Sequence, residues 1–109
     1  MSEKTAVNPA AIGALNANIA PLVEHIAYHT GTGSFSIAYG NYNIGICIAY
    51  VAGKGTSISA IQTSGNGNAS VTHIAGDSAA SNNITVSNSG GTLTVGTGSA
   101  EHRIILIRS

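Results

Sequence analysis

The sequence predicts a mainly β protein: a small antiparallel β-sandwich, shaped as a jelly-roll-like knob, preceded by a short N-terminal coiled-coil helix. Two observations support this fold class. Residues 30 to 109 contain about seven short runs in which apolar and polar residues alternate, separated by turns rich in Gly and Asn. In the preceding segment, residues 9 to 29, apolar residues recur at alternating steps of three and four, which is the spacing of a coiled-coil seam.

The predicted helix follows a flexible lead over residues 1 to 8. Asn8 is a favourable N-cap, and Pro9 suits the first helical position because an N–H there has no intrahelical partner. Pro21 removes one hydrogen bond on the outward side of the helix, so a break into two short helices is the alternative. The a and d positions of the seam, which we expect to mediate oligomerisation, are Ile12, Leu15, Ile19, Leu22 and Ile26.

The seam also predicts that the chain forms a homo-oligomer. A helix of about 20 residues is marginal in water by itself, and a narrow seam differs from the wide apolar face that a helix presents to its own domain. Ile at a and Leu at d favour two strands, whereas Val23 at an e position widens the seam and suits three. We expect a trimer, with a dimer left open. His29 falls at a d position, where three copies would ring the axis and could hold an ion; the alternative is a solvated His29 beyond the seam.

The β part is predicted to contain seven strands. Residues 76 to 83, GDSAASNN, are predicted as a loop, and NITVSNSGGTLTVG as a hairpin whose SNSGG segment supplies the positive φ angles of the reversal. The seventh strand is the terminal RIILIRS, in which successive side chains point to opposite faces, so both faces need cover. We assign Ile105 and Ile107 to an oligomer contact. The first six predicted strands cover residues 34–39, 44–51, 56–63, 69–75, 84–87 and 92–95.

Composition excludes several classes of partner. Four Lys and Arg balance four Asp and Glu, so the neutral chain has no electrostatic footprint for nucleic acid or an anionic membrane. No run of about 18 apolar residues predicts membrane insertion, and MSEKTAVNP lacks the apolar core of a signal peptide. The single cysteine, Cys47, forms no internal disulfide and is predicted to be a small buried hydrophobe.

The ionisable residues do not form a recognisable catalytic or metal-binding set. Glycoside hydrolysis needs two facing carboxyls, yet each acidic residue lies in a different segment. A helical pair of His residues four apart can bind zinc, but no third ligand is near in sequence. We therefore expect no enzyme activity, no cofactor and no metal. The acidic residues are Glu3, Glu24, Asp77 and Glu101, and the His pair is His25 and His29.

Two turns are candidate ligand-binding sites. Flat aromatic rings stack on sugar faces while amides bond sugar hydroxyls, and this combination occurs in YGNYN at Tyr39, Asn41, Tyr42 and Asn43. The GDSAASNN segment, with its polar side chains Asp77 and Asn82, is the second candidate. In both segments ordinary turn chemistry is the alternative explanation.

Three segments, ALNANIA, NITVSNSGGTLTV and the terminal RIILIRS, together resemble the distal part of bacteriophage tail fibres and receptor-binding proteins. In that group a short helical stalk leads into a trimeric β knob. The resemblance implies a virion location, extracellular once assembled and made in the host cytoplasm. It also implies other virion proteins and a cell-surface glycan as partners. The alternatives are a structural capsid-decoration or head-fibre protein and a free carbohydrate-binding lectin.

Overall fold

A computed structural model describes residues 24–65 and 67–109 of the chain. The predicted seam residues Ile12, Leu15, Ile19 and Leu22 lie outside these ranges. The described part contains eight strands and a short helix, α1, over Ser78–Asn82. The strands are β1 Ile26–Gly31, β2 Ser34–Ala38, β3 Ile44–Val51, β4 Gly55–Thr63, β5 Ala69–Gly76, β6 Thr85–Ser89, β7 Thr92–Gly96 and β8 His102–Arg108.

The strands form two antiparallel sheets, so the predicted mainly β fold is confirmed. The five-stranded sheet has the order β1-β8-β3-β4-β5, and the three-stranded sheet has the order β2-β7-β6. The last strand, β8, therefore lies between β1 and β3. At the corner where β1 leads into β2 and β7 leads towards β8, the Gly33 N–H donates to Gly98 O and the Thr97 N–H donates to Gly33 O. These two hydrogen bonds join both crossovers between the sheets.

The hydrophobic core lies between the two sheets and follows the alternation of the strands. In β3, whose bounds match the prediction, Cys47, Ala49 and Val51 are buried, while the Ile and Tyr residues between them are exposed. The C-terminal strand behaves in the same way, because Ile104 and Leu106 enter the core. The rest of the buried cluster comes from the other elements and connections: Tyr39, Ile61 of β4, Ala80, Ile84, and Leu93 and Val95 of β7.

The structure corrects the prediction at residues 26 to 29, which belong to β1 and not to a helix. Ile26 and His29, assigned to a and d positions of the seam, are instead paired with Ile107 and Ile104 of β8. Ala27 and His29 point inward and are half-buried, whereas Ile26 and Tyr28 are exposed. An alternating run of β-branched and aromatic residues suits a pleated strand, and six register pairs with β8 override the short helical periodicity.

The predicted loop over residues 76 to 83 contains α1. Asp77 has extended backbone angles at the N-cap, and its carbonyl accepts hydrogen bonds from the N–H groups of Ala80 and Ser81. Ala has the highest helix propensity, and Ala80 and Ser81 are buried against the five-stranded sheet. A helix of five residues is too short to give a periodic signal, which explains why the sequence pattern indicated a loop.

The outward side of the five-stranded sheet, called the outer face below, is strongly apolar. Ile26, Ile107 and Ile46 stand side by side in one row across the strands. The next row contains Tyr28, Ile105, Ile48 and Ile58. The ten large apolar residues of the outer face are 37% to 62% exposed: Ile26, Tyr28, Ile44, Ile46, Ile48, Tyr50, Ile58, Ile74, Ile105 and Ile107.

Candidate functional site

Three connections meet at one end of the molecule and form what is called the loop cluster below: residues 39–43, residues 64–68 without 66, and residues 88–91. The side chain of Asn88, which is buried, joins them. Its amide nitrogen donates to Asn41 Oδ1 at 2.8 Å and to Ser64 O at 3.1 Å, and its oxygen accepts from the Gly91 N–H at 3.0 Å. Because an interrupted network would leave buried polar atoms unsatisfied, Asn88 fixes the relative positions of the three connections.

A second set of hydrogen bonds fixes the β2–β3 connection. The Asn43 side-chain amide donates to Tyr39 O at 2.7 Å and to Ser109 O at 2.9 Å. Thr63 Oγ1 donates to Gly40 O at 2.7 Å and accepts from the Asn43 N–H at 3.0 Å. The backbone on both sides of Tyr42 is therefore held by several short bonds.

Tyr42 lies at the tip of this connection. It is 80% exposed and has a φ of 55°, and no other described non-glycine residue has a positive φ. The hydroxyl end of its ring lies against Gly65, where a Cβ atom would collide with it. A bulky residue in the left-handed region is strained, so the connection presents an aromatic ring outward at a cost in backbone energy.

Tyr39, predicted beside Tyr42 as a ligand contact, does not occupy that position. Its ring is buried in the core, and its hydroxyl donates to Ile61 O at 2.8 Å. Desolvation by burial, with the nearby Cys47 as a smaller cause, raises the pKa of Tyr39 to about 12. Tyr39 is therefore a core residue and not a ligand contact. Asn41 and Asn43 hold the loop in position from its two sides.

The second predicted candidate, Asp77 and Asn82, lies at the opposite end of β4 from the loop cluster. Asp77 Oδ2 accepts from the Thr56 N–H at 3.1 Å, near the start of β4, whereas Thr63 bonds Asn43 at its end. Seven residues of strand correspond to roughly 23 Å. The structure therefore does not bring the two predicted sites together, and the Asp77 carboxylate holds the β5–α1 corner to β4.

Sequence reasoning missed a chain of hydrogen bonds between the sheets at His102. Thr97 Oγ1 donates to Ala100 O, so it accepts from His102 Nδ1. Nε2 of the neutral His102 is then an acceptor, and it receives the Nδ1–H of His29 at 2.8 Å. His29 stacks on Phe35 with a centroid distance of 4.7 Å. The expectation that His29 lies on an axial seam or beyond it in water is wrong, because β1 directs it between the sheets.

His102 is 1% exposed. Desolvation by burial, followed by the neighbouring His29, lowers the pKa of His102 from its usual value near 6.5. Residues facing its ring are His29, Phe35 and Thr97, and none of these is a carboxylate. A proton on Nε2 would turn that atom from an acceptor into a donor, so the bond that it accepts from His29 in this arrangement exists only with neutral His102.

A Ser–His pair, formed by the buried Ser81 and the exposed His73, has a structural role. Ser81 Oγ is 2.7 Å from His73 Nδ1, the kind of distance at which a base activates a nucleophile. The same oxygen is also 2.7 Å from Ser59 Oγ and is buried, which leaves no room for a substrate. The pair attaches α1 to the sheet. Nearby, Ser57 Oγ is buried and has no hydrogen-bond partner among the described residues.

Within residues 24–65 and 67–109, no group of three or more potential metal-binding side chains is present. In the same ranges, no helix is long and apolar enough to cross a membrane. Comparison with protein-family models, with curated proteins and with solved structures finds no match to this chain.

Proposed function

We propose that this chain is a non-enzymatic module of an oligomeric virion fibre or fibre tip, and that its loop cluster binds a host-surface ligand of the glycan class. The observation that carries the ligand part is Tyr42, which is 80% exposed although the backbone on both sides of it is held by hydrogen bonds. A ligand site needs side chains that are ordered before binding, because ordering them on binding costs free energy.

The strain at Tyr42 supports an outward role for its ring. An L-residue in the left-handed region costs roughly 1–2 kcal/mol compared with glycine, and a ring that is mostly exposed recovers little of this by burial. Its flat face suits the apolar side of a sugar, and the exposed amides of Asn41 and Asn68 lie in the same cluster. Rigid Tyr beside adaptable Asn, Ser and Gly is also the composition of antibody binding loops.

The proposal includes the finer fold, a jelly-roll-like sandwich knob following a coiled-coil stalk. Its support is the position of the last two strands: β8 lies between β1 and β3, and β7 lies between β2 and β6. Late strands that return beside early ones are typical of Greek-key and jelly-roll connections. The virion location, the other virion proteins and the stalk rest on the sequence resemblance and seam.

A structural capsid-decoration or head-fibre protein is the second candidate. The outer face favours it, because an apolar sheet face of this size suits a chain that works within an assembly. This candidate needs no ligand at Tyr42, so ligand binding at Tyr42 distinguishes the two candidate functions.

The test is binding of the full chain to a printed panel of mono- and oligosaccharides. We expect wild type to bind at least one glycan, Tyr42→Phe to retain most of that binding, and Tyr42→Ala to weaken it at least about 10-fold through loss of stacking. Ser87→Ala, at an exposed position of β6, is the matched control. If the panel shows no bound glycan, or if Tyr42→Ala binds as well as wild type, the ligand proposal is wrong and the structural candidate is favoured.

A further inference from the structure

We propose that copies of this chain associate through the outer face of the five-stranded sheet. The inference rests on the oligomeric part of the proposed function and names its surface, and it is independent of any ligand at Tyr42. The sequence predicts an oligomer contact at Ile105 and Ile107 only. The proposed contact surface includes these two residues and extends over all five strands of the sheet.

The extent of the apolar surface is the first argument. Aromatic side chains carry roughly 150–250 Å² each and an Ile residue lies near the lower end of that range, so these two Tyr and eight Ile at 37% to 62% exposure present on the order of 800 Å². The largest apolar patch on a typical monomer is about 300–600 Å². A stable interface of standard size buries about 800 Å² on each partner. The outer face therefore exceeds what a monomer normally exposes and matches what one partner contributes to an interface.

The distribution of polarity is the second argument. Among the outward positions of the five strands of this sheet, Arg103 is the single charged residue. It lies at one end of β8, between Thr30 and Tyr50 of the neighbouring strands. On the edge strand β5, the outward residues Thr72 and Ser70 are polar, and Ile74 is the one large apolar residue beside them. An apolar, charge-free centre with a polar margin is the usual anatomy of a protein interface.

The chemistry of the face points to a second copy as its occupant. A centre without charges offers no electrostatic selection for a charged partner of another kind. Aligned rows of Ile in register present regular ridges, which can pack face to face with an identical sheet at a separation of about 10 Å. Closed symmetric association of identical chains is also the commonest form of oligomer.

Residues 9 to 23 of the same chain are too few to cover the whole outer face. If they folded back as the predicted helix, they would form a cylinder about 10–12 Å wide. Five strands spaced about 4.8 Å apart span roughly 19 Å between the outermost pair, and outward apolar residues occur on every one of them. One such helix would cover about half of the face, so a second copy is still required.

The first experiment measures the mass of the full-length chain by size-exclusion chromatography with light scattering at about 10 µM. Wild type is expected at two or three times 10.8 kDa. Ile48→Lys, at the centre of the face, is expected to raise the dissociation constant more than about 100-fold, because an unpaired charge would be buried. Ser87→Lys, outward on the other sheet, is the matched control and should leave the mass unchanged.

The outcomes distinguish this inference from the rest of the proposed function. A wild-type monomer overturns both the interface and the oligomeric state, but not the glycan site. An oligomer that persists in a folded Ile48→Lys variant overturns the outer face alone and leaves association through residues 9 to 23.

If Ile48→Lys does not fold, wild type decides the question through isotope-filtered NMR on a mixture of methyl-labelled and unlabelled chains. Contacts between chains from the methyl groups of Ile46, Ile48 and Ile105 support the inference. Contacts of these methyl groups only with residues 9 to 23 of the same chain overturn it.

Discussion

Replacing His102 with glutamine should remove a pH dependence of stability that the wild-type protein shows below about pH 7. Burial lowers the pKa of His102 in the folded state, whereas the unfolded chain titrates near the usual value of about 6.5. As the pH falls through 6.5, the unfolded state takes up a proton that the folded state resists. The free energy of unfolding must therefore decrease as the pH decreases.

The size of the effect follows from one proton. The slope approaches about 1.4 kcal/mol per pH unit below 6.5, so His102 should account for a loss of at most about 1.4 kcal/mol in the free energy of unfolding between about pH 7.5 and 5.5. The loss reaches that limit only if the folded-state pKa of His102 is below this range. The glutamine side chain takes up no proton at any of these pH values. The contribution of His102 is the difference between wild type and His102→Gln in the slope of the free energy of unfolding against pH. This difference does not depend on the absolute stability of the variant.

The assay is urea denaturation of wild type and His102→Gln, at a single protein concentration because association affects apparent stability. Measurements at about pH 7.5, 6.5 and 5.5 are sufficient. We expect the wild-type free energy of unfolding to fall more steeply than that of the variant. If the free energy of unfolding has the same slope against pH in wild type and variant over the whole range, the reasoning is refuted. Equal slopes would show that His102 titrates alike in the folded and unfolded states.

Three further predictions concern the core. Leu106→Ala should lower the free energy of unfolding in guanidinium by about 2–5 kcal/mol, because it leaves a cavity at a fully buried position; a loss below about 1 kcal/mol would contradict that placement. Ser57→Ala should cost less than about 0.5 kcal/mol since its hydroxyl has no partner among the described residues, whereas Ser59→Ala should cost roughly 1 kcal/mol by removing the bond to Ser81; equal losses in the same titration would count against this assignment. Burial raises the pKa of the Cys47 thiol to about 12, so Ellman's reagent should not react with the folded protein at pH 8. After denaturation the reagent should detect one thiol. Rapid reaction before denaturation would contradict the burial of Cys47.

Much of the β architecture could be predicted from alternation alone. All seven predicted strands lie within about two residues of observed strands, and both arms of the hairpin face inward as expected at Val86, Leu93 and Val95. Alternation along RIILIRS also gave the correct inward and outward pairs. A pattern of period two is informative wherever one face is buried, because a shift of one residue would exchange the faces.

The remaining features depend on contacts that are distant in sequence. The run IAYHT has both helical and strand periodicity, and pairing with β8 decides between them. Tyr39 resembles Tyr42 in sequence, but only the fold places one ring in the core and the other in solvent. The roles of Asn88 and His102 arise from partners in other connections, and single buried polar residues give no periodic signal.

The position of β8 also constrains how the protein is made. Its pairs with β1 join residues from 71 positions apart, Gly31 and His102, to 81 positions apart, Ile26 and Ile107, and such distant pairing makes folding slow. The β3–β4–β5 meander can form early, yet β1 and β3 lack their common neighbour until β8 leaves the ribosome. During synthesis the chain therefore holds an incomplete sheet with both apolar sides uncovered, and chaperone capture and aggregation compete with folding during that interval.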